Sequence, residues 1–266
     1  MRALAVLRSA LFVAWMALTV VPFALAAMAL SVFVRGDPVY RVCVAWLVLV
    51  IHGARWICGV RWRVQGMEHL PDHDDPGSAV VLCPKHQSTW ETFAFPMLMP
   101  HPLCYVFKRE LLYIPFFGWA IGRLDMIHID RSRRTEAWNK VAEQGRRLMG
   151  LGHWIIMFPE GTRTPRGRQG AYKSGATRLA VTCGVPVVPI AVTSAKCWPR
   201  KRLLLTPGTI DISIGRPIPS TGRQADELMR EVEAWVEGEM RRLDPEAYRG
   251  AAAPPLARRG EEVPAP

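Results

Sequence analysis

An α/β domain with a mixed, mainly parallel central sheet flanked by helices, preceded by an N-terminal two-helix membrane anchor, is the fold this sequence predicts. Three observations lead there. Between residues 77 and 215, short apolar runs alternate with amphipathic segments, the pattern of strands joined by helical crossovers. Several apolar runs end abruptly on polar residues, as strands do where they hand over to a functional loop. Two long apolar stretches come before all of this. The expected division is residues 1–62 for the anchor, 63–249 for the α/β domain and 250–266 for a disordered tail rich in Ala, Pro, Arg and Glu.

The first apolar stretch, residues 11–34, spans roughly 36 Å as a helix, against a hydrocarbon core of ~30 Å. It is long enough to cross a bilayer with tilt, or to kink at Pro22. Arg2 and Arg8 followed by Ala24-Leu25-Ala26 resemble a cleaved signal, but the apolar run continues past that point to Val34. The second stretch, residues 42–60, is broken by His52, Gly53 and Arg55, and Trp46, Trp56 and Trp62 suit a membrane interface. Together they read as a hairpin, or as one span plus an interfacial helix. Arginines lie before, between and after them, so charge does not set the orientation.

Strands are expected at 79–83, 104–108, 126–129, 154–158, 185–192 and 209–214, and helices at 90–98, 135–149, 175–182 and 224–243. In the last helix Leu228, Val232, Trp235, Val236, Met240 and Leu243 recur at helical spacing between charged residues. The net charge of +11 and pI near 9.8 favour anionic partners. With the hydrophobic N-terminus, that partner reads as a phospholipid membrane. Nucleic acid is not expected, since no zinc-finger spacing, aromatic RNA-binding motif or long basic run is present. The six cysteines form no CxxC pair and sit mostly in apolar runs, which fits reduced core thiols and a cytoplasmic domain.

The chemistry concentrates in Lys85-His86-Gln87-Ser88-Thr89-Trp90-Glu91, directly after the apolar run 79–83. On a regular helix, residues five apart lie about 140° round the axis. His86 and Glu91 therefore meet only if His86 stays in the turn and the helix begins near Ser88. Ser88 then caps that helix with Glu91 three positions on, a capping box. Glu91 has two oxygens, so capping is compatible with a second role. Bonded to one imidazole nitrogen, it fixes the tautomer and stabilises the imidazolium, leaving the other nitrogen to take a proton from an alcohol. No G-x-S-x-G elbow surrounds Ser88, which reads as a cap rather than a nucleophile.

A second candidate is Phe158-Pro159-Glu160-Gly161-Thr162-Arg163 at the end of another apolar run. Gly161 allows close backbone approach to a ligand, and the Arg163 guanidinium suits phosphate. An ordinary turn with a solvated arginine explains the same residues. Arg166, Arg168 and Lys173 deepen the positive field. Lys108 and Arg131 stand at other strand ends, with the Pro-, Gly- and aromatic-bearing stretch 108–119, a combination suited to a polar headgroup next to an acyl chain; Phe116, Phe117 and Trp119 are each equally explained as core. His101, His128 and His153 show no metal-ligand spacing and read as structural, and no metal or cofactor is expected.

His86-Gln87-Ser88-Thr89-Trp90-Glu91, the block 108–118, the block 158–163 and Val185-Pro186-Val187-Val188-Pro189-Ile190 resemble, in order, the four blocks of the glycerolipid acyltransferase family. The likeness runs from about Val80 to Ser194 and extends to a similar two-helix anchor. The family usually has Asp where this chain has Glu91, so an extra methylene must be absorbed by the backbone. The resemblance implies direct acyl transfer with no acyl-enzyme. An acyl group passes from acyl-acyl carrier protein or acyl-CoA to the sn-2 hydroxyl of lysophosphatidic acid, giving phosphatidic acid at the cytoplasmic face of a bacterial inner membrane. His86 is the implied base and Glu91 its orienter. Glu160, Gly161, Thr162 and Arg163 are the implied glycerol-phosphate site, with Lys108 and Arg131 as further contacts to phosphate or thioester, and residues 185–190 as a buried strand lining the acyl site. The same blocks serve other acceptors, including glycerol 3-phosphate, other lysophospholipids and an ornithine-type lysolipid. A hydrolase, with His86 activating water, and a non-catalytic lipid-binding protein also remain open at this point.

Overall fold

The computed structural model describes residues 2–71, 78–130, 134–200 and 204–249. Arg131 and the tail 250–266 therefore lie outside the described residues. Two long helices, α1 (Arg2–Phe33) and α2 (Asp37–Cys58), lead directly into strand β1 (Val60–Gln65). The rest runs β2 (Val81–Pro84), α3 (Trp90–Leu98), β3 (Leu103–Lys108), α4 (Phe117–Ile121), β4 (Ile127–Ile129), α5 (Arg134–Met149), β5 (Trp154–Ile156), α6 (Gly175–Cys183), β6 (Val187–Val192), β7 (Gly208–Ile214) and α7 (Ala225–Leu243).

The seven strands form one sheet in the order β1-β7-β6-β2-β5-β3-β4. Among the described strands, only β6 and β7 pair antiparallel. The mixed, mainly parallel sheet expected from the alternation of apolar runs is present. Its central strands are buried on both faces, and side-chain alternation divides the core in two. Val80, Leu82, Trp154 and Ile156 face α2 and α3, while Val81, Cys83 and Ile155 face α5, α6 and α7. Strand β2 lies between β5 and β6. Its connection runs to β3 on one side, whereas β5 connects to β6 on the other. Such a reversal opens a crevice at the carboxyl ends of the strands, where open α/β sheets bind ligands.

The N-terminal helices differ from expectation in how they attach. The boundary expected after residue 62 falls inside β1, and the helices share the core of the sheet. Phe12 of α1 is fully buried and meets Trp198 edge-on at 5.3 Å, and Val50, Ile51 and Ala54 of α2 are fully buried in the same cluster. The Leu205 amide donates to Ser9 Oγ at 2.9 Å. Further along α1, Ala24 and Ala27 pack with Ala120 of α4. Both helices are long and apolar enough to cross a membrane, and the outer face of α1 leaves Leu7, Leu11, Leu18, Leu25, Val32 and Phe33 exposed.

Candidate active site

Strand pairing brings the two sequence blocks together. Leu82 of β2 pairs with Ile156 of β5, and Pro84 of β2 with Ile190 of β6. The chain leaving β2 at Lys85 therefore emerges beside the chain leaving β5 at Met157. The second loop holds the first. Glu160 Oε2 accepts from the His86 amide at 2.8 Å, and the His86 carbonyl accepts from the Thr164 amide at 2.8 Å and the Thr164 hydroxyl at 3.1 Å. The Phe158 ring stacks on the imidazole, with centroids 3.8 Å apart and planes 22° from parallel. His86 is thus fixed by backbone on both sides and by an aromatic face.

Glu91 fixes the imidazole itself. His86 Nδ1 lies 2.8 Å from Glu91 Oε2. The carboxylate is fully buried and also accepts from the amides of Gln87 and Ser88, each 2.9 Å from Oε1, and from the Ser194 hydroxyl. Helix α3 begins at Trp90, whose amide donates to Ser88 Oγ at 2.9 Å. The reciprocal capping expected from Ser88 and Glu91 is present, shifted one amide earlier for the serine. One carboxylate serves both helix start and histidine, and the extra methylene of Glu is accommodated at ordinary hydrogen-bond length. An ionised carboxylate only accepts, so pairing with Glu91 favours the tautomer protonated on Nδ1, while His86 itself lines the cleft.

The cleft in front of His86 encloses about 340 Å³ and is lined by Lys108, Phe158, Gly161, Thr162, Arg163 and Arg200, among others. Gly161 has φ +63, a left-handed conformation that L side chains rarely adopt. A second, apolar cavity of about 100 Å³ lies behind, between Val20, Phe23 and Ala24 of α1, Trp46 and Leu47 of α2, and Phe93 of α3. Thr92, Tyr105, Phe107 and Leu111 line both spaces. The aromatic stretch expected near an acyl chain supplies part of the apolar wall through Leu111 and Phe117, and Ala120 and Ile121, just beyond it, continue that wall. Its tight turn depends on Gly118, where a Cβ would come within 2.4 Å of the Leu111 carbonyl oxygen. Residues 185–190, expected as a buried strand lining the acyl site, line neither of these two cavities. They run through the sheet interior, where β6 is buried throughout between β2 and β7.

Similarity to known proteins agrees with this geometry. The family model described as Acyltransferase matches residues 61–193. A Pseudomonas aeruginosa protein named 1-acyl-sn-glycerol-3-phosphate acyltransferase is 41% identical over 203 residues, covering 75% of this chain and 77% of that one. The chain belongs to the acyltransferase family. Human 1-acyl-sn-glycerol-3-phosphate acyltransferase alpha is 31% identical over 196 residues, covering 73% of this chain and 67% of that one. Among solved structures, the 1-acyl-sn-glycerophosphate (LPA) acyltransferase from Thermotoga maritima matches with TM-score 0.76 at 24% identity, over 92% of this chain and 98% of that one, a likeness of fold.

Within this acyltransferase, His86, Gly161, Thr162, Arg163 and Lys108 line one cleft, with Glu91 directly behind His86. Glu160, expected to shape the glycerol-phosphate site, does not line the cleft. Its buried carboxylate turns inward to the His86 amide and to Lys85 Nζ at 2.7 Å. Burial pushes this carboxyl above the usual range, partly offset by Lys85. Arg166, expected to deepen the positive field, points away and pairs with Asp244. Sequence reasoning missed five contributors. Lys85 is fully buried and also binds Glu237 of α7 at 2.6 Å, where the Tyr172 hydroxyl donates to the same oxygen at 2.9 Å. Ser194 reaches Glu91 from the loop after β6, and Arg200 reaches the cleft. A lysine and a histidine side by side at the end of a buried strand was the one local signal for Lys85.

Proposed function

We propose that the protein transfers a fatty acyl group from an acyl thioester to the sn-2 hydroxyl of 1-acyl-glycerol 3-phosphate, forming phosphatidic acid. The observation that carries this reading is that His86 lines a cationic cleft that shares Thr92, Tyr105, Phe107 and Leu111 with an apolar cavity. A lysophosphatidic acid and an acyl thioester each combine an apolar chain with a polar end, and the names of the bacterial and human relatives agree with that pairing. In the reaction, Nε2 of His86 takes the proton of the acceptor hydroxyl as its oxygen attacks the thioester carbonyl. Glu91 stabilises the imidazolium that forms. Collapse of the tetrahedral adduct breaks the carbon–sulfur bond, and the imidazolium proton passes to the departing thiolate. Arg163 and Lys108, at the cleft wall, hold the acceptor phosphate. Either acyl-acyl carrier protein or acyl-CoA meets these requirements as donor.

The membrane enters through the N-terminal helices. Because α1 is packed on the domain from Ser9 to Ala27, it lies along the domain rather than projecting from it. We read α1 and α2 as embedded in one leaflet, apolar outer face in the hydrocarbon and catalytic cleft at the headgroup level. All six cysteines are free, which agrees with a cytoplasmic catalytic domain. The inner membrane of a bacterium is the corresponding location, given the bacterial relative.

The test is phosphatidic acid formation by detergent-purified protein supplied with lysophosphatidic acid and each thioester, beside a folded His86→Ala protein. Loss of a general base costs ~10²–10⁴-fold in rate. Near-full activity in His86→Ala would refute the mechanism. Thioester consumption that needs no acceptor would identify a hydrolase instead.

A further inference from the structure

The cleft carries more positive charge than one phosphate contact needs. Among the described residues, Lys108, Arg163 and Arg200 line it and no carboxylate does, since Glu91 and Glu160 are turned inward. Among the described residues, none of these three cations forms an ion pair. Arg200 comes from the loop after β6, beyond the matched family segment 61–193. Its Nη1 donates to the Arg163 carbonyl oxygen, which holds the two arginines on one wall. Arg163 Nε is buried with no hydrogen-bond partner. Such an arrangement leaves cationic donors waiting for an anion.

We propose that Arg200 is a second guanidinium of the headgroup subsite, and that it sets a preference for acceptors whose phosphate is a monoester over those whose phosphate is a diester. This rests on the acyltransferase reading above. A phosphomonoester carries about −1.5 to −2 charges near pH 7 and presents three terminal oxygens. A phosphodiester carries one charge and presents two. Lys108 and Arg163 suffice for a single charge, so a third cation changes the affinity for the two phosphates unequally. It also accounts for a cleft with no acidic wall, which a zwitterionic headgroup would need for its cation.

The experiment compares kcat/KM for lysophosphatidic acid with that for its phosphate monomethyl ester, in wild-type protein and in Arg200→Gln and Arg200→Lys. Glutamine retains an N–H donor but removes the charge, whereas lysine retains the charge. Arg200→Gln is expected to lower the ratio of the two kcat/KM values roughly ten-fold or more, the scale of one charge-assisted hydrogen bond, chiefly through KM for the monoester. Arg200→Lys is expected to preserve much of the ratio. Equal losses on both acceptors in both variants would mean that Arg200 only supports the Arg163 backbone, and would overturn the inference. An unchanged ratio in Arg200→Gln would overturn it as well. A wild-type protein that acylates neither acceptor would remove the functional reading itself, and this inference with it.

Discussion

Replacing Lys85 by Met gives the sharpest test of how the catalytic loop is held. Lys85 Nζ contacts Glu160 at 2.7 Å, Glu237 at 2.6 Å and the Arg168 carbonyl at 3.2 Å, and the side chains of Lys85, Glu160 and Glu237 are fully buried. Methionine matches the stem but leaves two carboxylates without their cation. Breaking a buried pair in this way costs about 3–5 kcal/mol, because the remaining charge is uncompensated. For a chain of this size, each kcal/mol lowers the melting temperature by ~2–4 °C, so a fall of roughly 6–20 °C is expected. The effect depends on pH with a definite sign. Glu160 already lies above its ordinary range through burial, and Lys85 opposes that shift. Without Lys85 the carboxyl moves further up. The folded variant then holds a proton that the unfolded chain has released, so its stability falls as pH rises through that window. The deficit should therefore shrink in acid. Adding Glu237→Leu removes one stranded charge, and the double variant should lose less than the sum of the singles by ~1 kcal/mol or more. Thermal melts in detergent at pH 5 and pH 8 measure both effects. A Lys85→Met protein as stable as wild type at pH 8, or singles that simply add, would show that the network does not hold the loop.

Arg163→Ala should raise KM for lysophosphatidic acid with a smaller change in kcat, and an unchanged KM in steady-state assays would move the phosphate site elsewhere. Ala24→Leu projects added bulk from α1 into the apolar cavity, whose volume is about 100 Å³. Product analysis with thioesters of graded length should show a shift to shorter chains, and an unaltered profile would remove that cavity from the acyl path. His128 makes a 2.9 Å contact with Lys140, sharing a cleft with Arg109, Asp130 and Glu136. Burial, then Lys140 and Arg109, hold it below the ordinary histidine value. The unfolded histidine is protonated first, so stability is lost as pH falls below ~6.5. His128→Gln should flatten that acid limb in denaturant titrations, and an identical limb would contradict the assignment.

The sequence by itself determined the elements whose periodicity is local. Helix α3 occupies residues 90–98 as expected, and α7 begins one residue later than expected, because the spacing of apolar residues acts within a few turns. The pairing of His86 with Glu91 was legible for the same reason, since a capping box fixes where a helix starts and so which side chains can meet. Strand β1 was hidden. Val60, Trp62 and Val64 alternate with Arg61, Arg63 and Gln65, but the run continues an apolar helix, and its partner β7 begins at Gly208. Only the tertiary structure decided that Glu237, 152 positions from Lys85, completes the support of the catalytic loop. Only it placed the apolar cavity between α1, α2 and α3 rather than along β6. Buried ion pairs and cavities arise where distant elements stack, and the order in which strands join a sheet leaves no period in the chain.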